Sequence, residues 1–325
     1  MESNSSSFNM TLLINIFIEI DYWFLFINVP FGILLNLFSI YIFTRVNLNK
    51  STMGFYYINL SIWCIIALIY LFFFQCSNIV MNYDLSLMTD LNCKLLMFFR
   101  RILREIPVWI ESLITFDRYR AVCQPNKFEF LKKKKIILLI IFIIILSLCL
   151  ISYQNFFYSI QSTNQNSSST TTTTVVCTGS KMLTTYADFV SALFRTILPS
   201  IIQIILSVML VRKVIQSKKA LRHNNSANSN DNNASSHLTK TVLNMNIIFL
   251  ILNGPEMILY IVKDTYSNVA SNPNETIVSI LAIIYRFSYD ISYIYYSFRF
   301  FSYIFFNKLF YDELTLIIRN ILSLH

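Results

Sequence analysis

The sequence predicts an all-α membrane protein: a seven-transmembrane helix bundle with its N-terminus outside and a short amphipathic helix after the seventh span. Three observations predict it. Of 325 residues, 55% are hydrophobic and only 13% charged, whereas a soluble domain carries about 25% charged residues to face water. The apolar residues fall in blocks of about twenty or more, the length that crosses a bilayer as helix. The Lys and Arg residues sort to alternate connections between those blocks. With only 4 Gly and 6 Pro, collagen-like and turn-dense all-β architectures are excluded.

The blocks lie at residues 22–44, 54–79, 93–120, 136–158, 184–213, 239–263 and 276–303. They divide the chain into an extracellular N-terminal segment (1–21), a seven-transmembrane domain (22–303) and a cytoplasmic amphipathic helix and tail (304–325). The first segment has a short apolar run, Leu12 to Ile18, with neither a basic stretch before it nor a small-residue cleavage site after it. It is not read as a signal peptide. The third block carries Arg100, Arg101, Arg104, Glu105 and Glu111, so hydropathy alone would skip it. The fourth is free of charge from Ile136 until Lys181.

Orientation follows from the basic residues. Most of the 26 Lys and Arg, among them Arg45, Lys132 to Lys135, Lys213, Lys218 and Arg222, fall on the side shared with the C-terminus. Lys94, Lys181 and Lys263 fall opposite. The C-terminus is therefore cytoplasmic. The net charge of +9 reflects this topology, and no nucleic-acid partner is expected. Residues 161–174 read as a polar low-complexity outer loop and 223–236 as a similar inner one, both too polar to fold alone. Glycosylation sequons stand outside at Asn4, Asn9, Asn166 and Asn274; triplets at Asn49, Asn59, Asn224 and Asn233 arise on the other side or within a span. Cys93 and Cys177 both face the oxidising side, where a disulfide persists; taken alone they are either a pair or two unrelated thiols. Cys64, Cys76, Cys123 and Cys149 read as small apolar residues.

The most specific signal is Phe116-Asp117-Arg118-Tyr119-Arg120-Ala121-Val122-Cys123-Gln124-Pro125, ending the third block on the basic side. There the chain resembles the rhodopsin-like G-protein-coupled receptors, whose third helix ends in a D-R-Y triplet followed by x-A-V-x-x-P. Cys93 precedes Arg118 by 25 residues, the family's separation between outer disulfide and inner Arg, and about 37 Å of helix. Asn36, Leu60, Pro199 and Pro255 fit characteristic positions of the first, second, fifth and sixth helices. Phe249-Leu250-Ile251-Leu252-Asn253-Gly254-Pro255 looks like F-x-x-C-W-x-P with Cys and Trp replaced. Asn at the Trp position is similar to invertebrate FMRFamide-like peptide receptors. Tyr303 and Phe310 fit the Tyr-x6-Phe that leads into the amphipathic helix, whose apolar face holds Leu309, Phe310, Leu314, Ile317, Ile318 and Ile321.

The resemblance implies a plasma-membrane receptor with an extracellular ligand, here a neuropeptide, and a heterotrimeric G protein as partner. It implies a Cys93–Cys177 disulfide and a coupling switch of Asp117, Arg118, Tyr119 and Tyr303. The departures fall on the relay of activation: Cys64 stands for the usual second-helix Asp, Ser207 for a fifth-helix Tyr, and Arg299-Phe300-Phe301-Ser302-Tyr303 for N-P-x-x-Y. A non-signalling decoy or partner with the same fold is therefore the alternative.

Charge inside the membrane is costly, so intramembrane ionisable groups face a cavity or one another. Arg100 and Arg104 share one helical face. With Arg195, Glu256, Arg286 and Asp290 they form either a ligand pocket or a set of internal ion pairs. If the arginines are free, the ligand carries an anionic group; if Glu256 or Asp290 neutralises them, the acids receive a cationic peptide side chain. No catalytic or metal-ligating constellation occurs: His223, His237 and His325 lie in the inner loop or tail, and the cysteines lack zinc-ligand spacing. No enzyme activity and no cofactor are expected.

Overall fold

A computed structural model describes residues 2–45, 52–80, 83–123, 133–155, 159–167, 170–178, 189–223, 229–269 and 274–323. The bundle consists of α1 (Glu2–Phe43), α2 (Thr52–Val80), α3 (Asp90–Cys123), α4 (Lys133–Asn155), α5 (Leu198–His223), α6 (Ser229–Val269) and α7 (Glu275–Phe306), followed by α8 (Lys308–Leu322). A 3₁₀ turn, Leu85–Leu87, precedes α3. An antiparallel hairpin of β1 (Ser159–Ser167) and β2 (Thr170–Thr178) stands between α4 and α5. In sequence order α1 packs on α2, α6 on α7 and α7 back on α1, while α3 touches α2, α4, α5 and α6.

That central place explains the charged third block. Arg104, Glu105, Glu111, Asp117 and Arg118 are all buried in protein, while Leu95, Phe99 and Phe116 supply the exposed apolar face of α3. Five helices among the described residues are long and apolar enough to span a membrane: Asn15–Phe43, Thr52–Asn78, Phe189–Gln216, Thr239–Ser267 and Thr276–Phe306. The fourth contributes the shorter apolar stretch Ile137–Leu146. Trp23, Leu34, Phe73, Phe142, Ile251, Ile258 and Phe305 project outward and form part of the lipid-facing belt.

Helix α1 begins at Glu2, ahead of its membrane-length apolar stretch Asn15–Phe43. Two sequence expectations are corrected. The outer loop forms a hairpin, because Thr170 to Val176 are all β-branched and favour an extended chain. Likewise α6 begins at Ser229, taking up half of the expected inner loop. Pro125 and residues 224–228 of that loop lie outside the described residues.

Local chemistry sets the helix details. Pro199 has no N–H to give the carbonyl four residues back, and a π-helical turn, Leu193–Ile197, precedes it. Asn307 ends α7 and caps α8, its side chain accepting from the Phe310 N–H at 3.2 Å. Phe310, Leu314 and Ile317 of α8 are buried while Leu309, Ile318 and Ile321 stay exposed, so the predicted apolar face divides between bundle and bilayer.

Asn36 staples α1 to α7. Its Nδ2 donates to the Gly32 carbonyl at 2.8 Å and the Tyr296 carbonyl at 2.9 Å. The helices approach so closely that a Cβ on Gly32 would meet Ser297 Oγ at 2.1 Å. Asn36→Ala leaves buried acceptors short of a donor, a loss of about 1–3 kcal/mol. A lowered melting temperature of the purified protein is the expected result; an unchanged one contradicts the staple.

Candidate functional site

The outer half of the bundle gathers its charges around one aromatic ring. The guanidinium groups of Arg100, Arg104 and Arg286 lie 5.2, 4.5 and 5.9 Å from the Tyr289 centroid. Tyr289 and Tyr293, one turn apart on α7, bring their hydroxyls to 3.2 Å. Aromatic faces attract cations most strongly where water is excluded, and Tyr289 is buried.

The carboxylates answer these cations unequally. Glu256 of α6 forms ion pairs with Arg104 of α3 and, at 3.2 Å, with Arg195 from the π-helical turn. Arg104 also donates to Ser292 Oγ at 3.0 Å. Arg286 pairs with Asp21 of α1 at 3.1 Å, and Asp290 is buried beside Asp21 and Gln75. Arg100 differs. It is half-buried, stacked between Phe74 at 5.7 Å and Tyr289, and among the described residues no carboxylate lies within ion-pair distance of it. The two arginines are thus divided: Arg104 belongs to an internal ion-pair network, while Arg100 meets aromatic faces alone among the described residues.

The hairpin is pinned to α3, the helix that carries Arg100 and Arg104. Cys93 and Cys177 form a disulfide with Cα atoms 5.6 Å apart. The Ile160 N–H donates to Asp90 Oδ1 at 2.9 Å, and Ile160 is paired with Cys177 in the sheet. Both ties reach the outer end of α3.

At the inner end of α3, Arg118 Nη2 lies 2.6 Å from Asp117 Oδ2, with both side chains buried. Tyr119 is half-buried. Tyr303 packs against Tyr57, Phe43 and Phe310 at 4.8, 5.1 and 5.4 Å, joining α1, α2, α7 and α8. Deeper in the bundle, Asn246 Nδ2 donates to Thr115 Oγ1 at 3.1 Å and Ser207 Oγ at 2.9 Å. Ser207, at the position of the missing Tyr, therefore links α5 to α6 and α3 through Asn246.

A model of the family described as "7 transmembrane receptor (rhodopsin family)" matches residues 35–293, most of the bundle. The chain belongs to the rhodopsin family of seven-transmembrane receptors. The match runs through the Asp117-Arg118-Tyr119 triplet and, Asp21 apart, the outer cluster, and stops ahead of Arg299. No curated protein sequence matches the receptor. Family membership makes it a multi-pass receptor of the plasma membrane, and members of this family are receptors rather than enzymes.

Sequence reasoning placed Arg100, Arg104, Glu256, Arg286 and Asp290 in the receptor's outer half, and they do lie together there. It did not find Asp21, Tyr289, Ser292 or Asn246, because a Tyr or Asn within an apolar helix carries no sign of which face it occupies. Nor did it pair Glu111 with Arg299, although two opposite charges within spans are a signal that each needs a partner. Among the glycosylation candidates, Asn274 is exposed and caps α7, accepting from the Thr276 N–H at 2.9 Å. The side chains of Asn4, Asn9 and Asn166 lie outside the described residues.

Proposed function

We propose that the receptor binds an extracellular peptide through an anionic group held by Arg100, and signals by coupling to a heterotrimeric G protein. The observation that carries this reading is that Arg100, among the described residues, has no carboxylate partner in a cluster whose other arginines have one. A ligand carboxylate or sulfate gains a charge-assisted hydrogen bond there, whereas a monoamine is repelled. A peptide is favoured by the hairpin tied to the outer end of α3, whose backbone edges suit an extended chain, and by Asn253 at the position shared with FMRFamide-like receptors. Coupling is supported by the intact Asp117–Arg118 pair. In this reading Asp117 holds Arg118 at rest, and opening of the cytoplasmic face frees it for the partner.

The test is guanine-nucleotide exchange on a panel of purified G proteins, driven by acidic peptide pools. Arg118→Ala should abolish exchange while leaving peptide binding and surface expression unchanged, since Arg118 lies at the opposite end of α3 from Arg100. Exchange that persists in Arg118→Ala removes Arg118 from the switch. Peptide binding without exchange on any G protein favours a decoy.

A further inference from the structure

Three helices meet at one buried guanidinium that the outer cluster does not use. Arg299 of α7 sets Nη2 2.9 Å from Glu111 Oε1 on α3 and Nη1 2.8 Å from Cys64 Sγ on α2. The same guanidinium lies 4.3 Å from the Tyr295 centroid and 5.7 Å from that of Tyr296. Arg299, Glu111 and Cys64 are all buried. Beside Glu111 is a cavity of about 10 Å³ lined by Tyr57, Glu111, Ile114, Val242, Met245 and Asn246. The carboxylate thus lies between Arg299 of α7 and the inner half of α6.

We propose that Glu111 and Arg299 form a charge clamp that holds α7 against α3 and keeps the inner half of the bundle closed until α6 moves away. Buried in a low-dielectric interior, the two opposite charges attract each other strongly. The cavity is close to the size of one water, and Val242, Met245 and Asn246 form its α6 wall. Displacing α6 widens it directly beside Glu111, hydrates the carboxylate and weakens the pair. The substitutions singled out in the sequence then have a joint physical meaning. With Cys64 in place of an acid, α2 offers Arg299 a thiol, and the arginine takes its charge partner from α3. The clamp rests on the proposed signalling role only for what its release accomplishes, and it is testable with neither ligand nor G protein.

Cys64 is the reporter, since a thiol sealed under Arg299 reacts only when the clamp opens. In the full-length receptor in lipid vesicles, Cys76, Cys123 and Cys149 are replaced by Ser, and the labelling rate of Cys64 with a methanethiosulfonate reagent is measured. That rate follows the population of the open state. Glu111→Gln and Arg299→Gln should each raise it about tenfold, the equivalent of about 1.4 kcal/mol in the closing equilibrium. The double variant Glu111→Leu with Arg299→Met should return it close to the parent rate, because no charge is left unpaired. As a control for general loosening, Leu71→Cys in a Cys64→Ser background places the thiol at a buried outer position of α2 and should stay unreactive in both single variants. Unchanged Cys64 labelling in the single variants overturns the clamp, and so does labelling of Leu71→Cys at the same rate. A double variant as reactive as the single ones overturns it as well. Basal nucleotide exchange is read in parallel: faster labelling without faster exchange upholds the clamp and counts against G-protein coupling.

Discussion

Glu256→Gln should remove most of the folded receptor from the cell surface. One carboxylate stands between Arg104 of α3 and Arg195 of the π-helical turn, and it is almost fully enclosed at 2% exposure. Without it two permanent cations face each other across three helices. Breaking a buried ion pair by deleting one partner costs about 3–5 kcal/mol, a large share of the roughly 5–15 kcal/mol by which a folded protein is stable. Here the remaining charges also repel. Surface immunostaining and the melting temperature of purified receptor measure the loss. Adding Arg104→Met to Glu256→Gln should restore part of both, because the surviving Arg195 is the more exposed of the two arginines. Parent-like stability in Glu256→Gln would show that the three groups do not act as one network.

Arg100→Gln should behave in the opposite way, sparing the fold and removing the ligand. Arg100 is half-buried and has no carboxylate partner among the described residues, so its loss strands no charge. What it forfeits within the protein is the stacking between Phe74 and Tyr289, about 0.5–2 kcal/mol for cation–π contacts. A ligand anion loses a hydrogen bond to a charged group, about 1.5–3 kcal/mol, or roughly 10- to 100-fold in affinity. Arg104→Gln, one turn away, should instead lower stability by leaving the buried Glu256 with the more exposed Arg195 as its remaining ion-pair partner. Saturation binding and thermal melting on the two variants separate these effects. Equal consequences for both would mean that the two arginines share one role.

The contrast between these arginines marks what the sequence could convey. Length, apolar blocks and the sorting of Lys and Arg are properties of a chain crossing a bilayer, so the number and direction of the helices were legible. So was the disulfide, once Asp117-Arg118-Tyr119 had placed Cys93 at the outer end of the third helix. Helix rotation was not legible. Whether Glu256 faces Arg100 or Arg104 depends on how α6 turns against α3, and α6 has apolar residues on all sides. Asp21 stands ahead of the first apolar block in the sequence, which carries no sign of its reach to Arg286 at 3.1 Å. Glu111 and Arg299 are far apart in the chain, and only the packing of α7 on the bundle makes them neighbours. The run of β1 and β2 is polar enough to read as an unfolded loop, yet the β-branching of its threonines favours the extended chain.

The most direct measurement is nucleotide exchange driven by matched peptide pools, identical except that one carries free carboxylates and the other has them amidated, on parent receptor and on Arg100→Gln. The account predicts exchange from the carboxylate pool alone in the parent, and a rightward shift of roughly 10- to 100-fold in Arg100→Gln. A potent amidated or cationic peptide whose potency is the same in Arg100→Gln would contradict it, and would assign recognition to Asp290 and its neighbours instead.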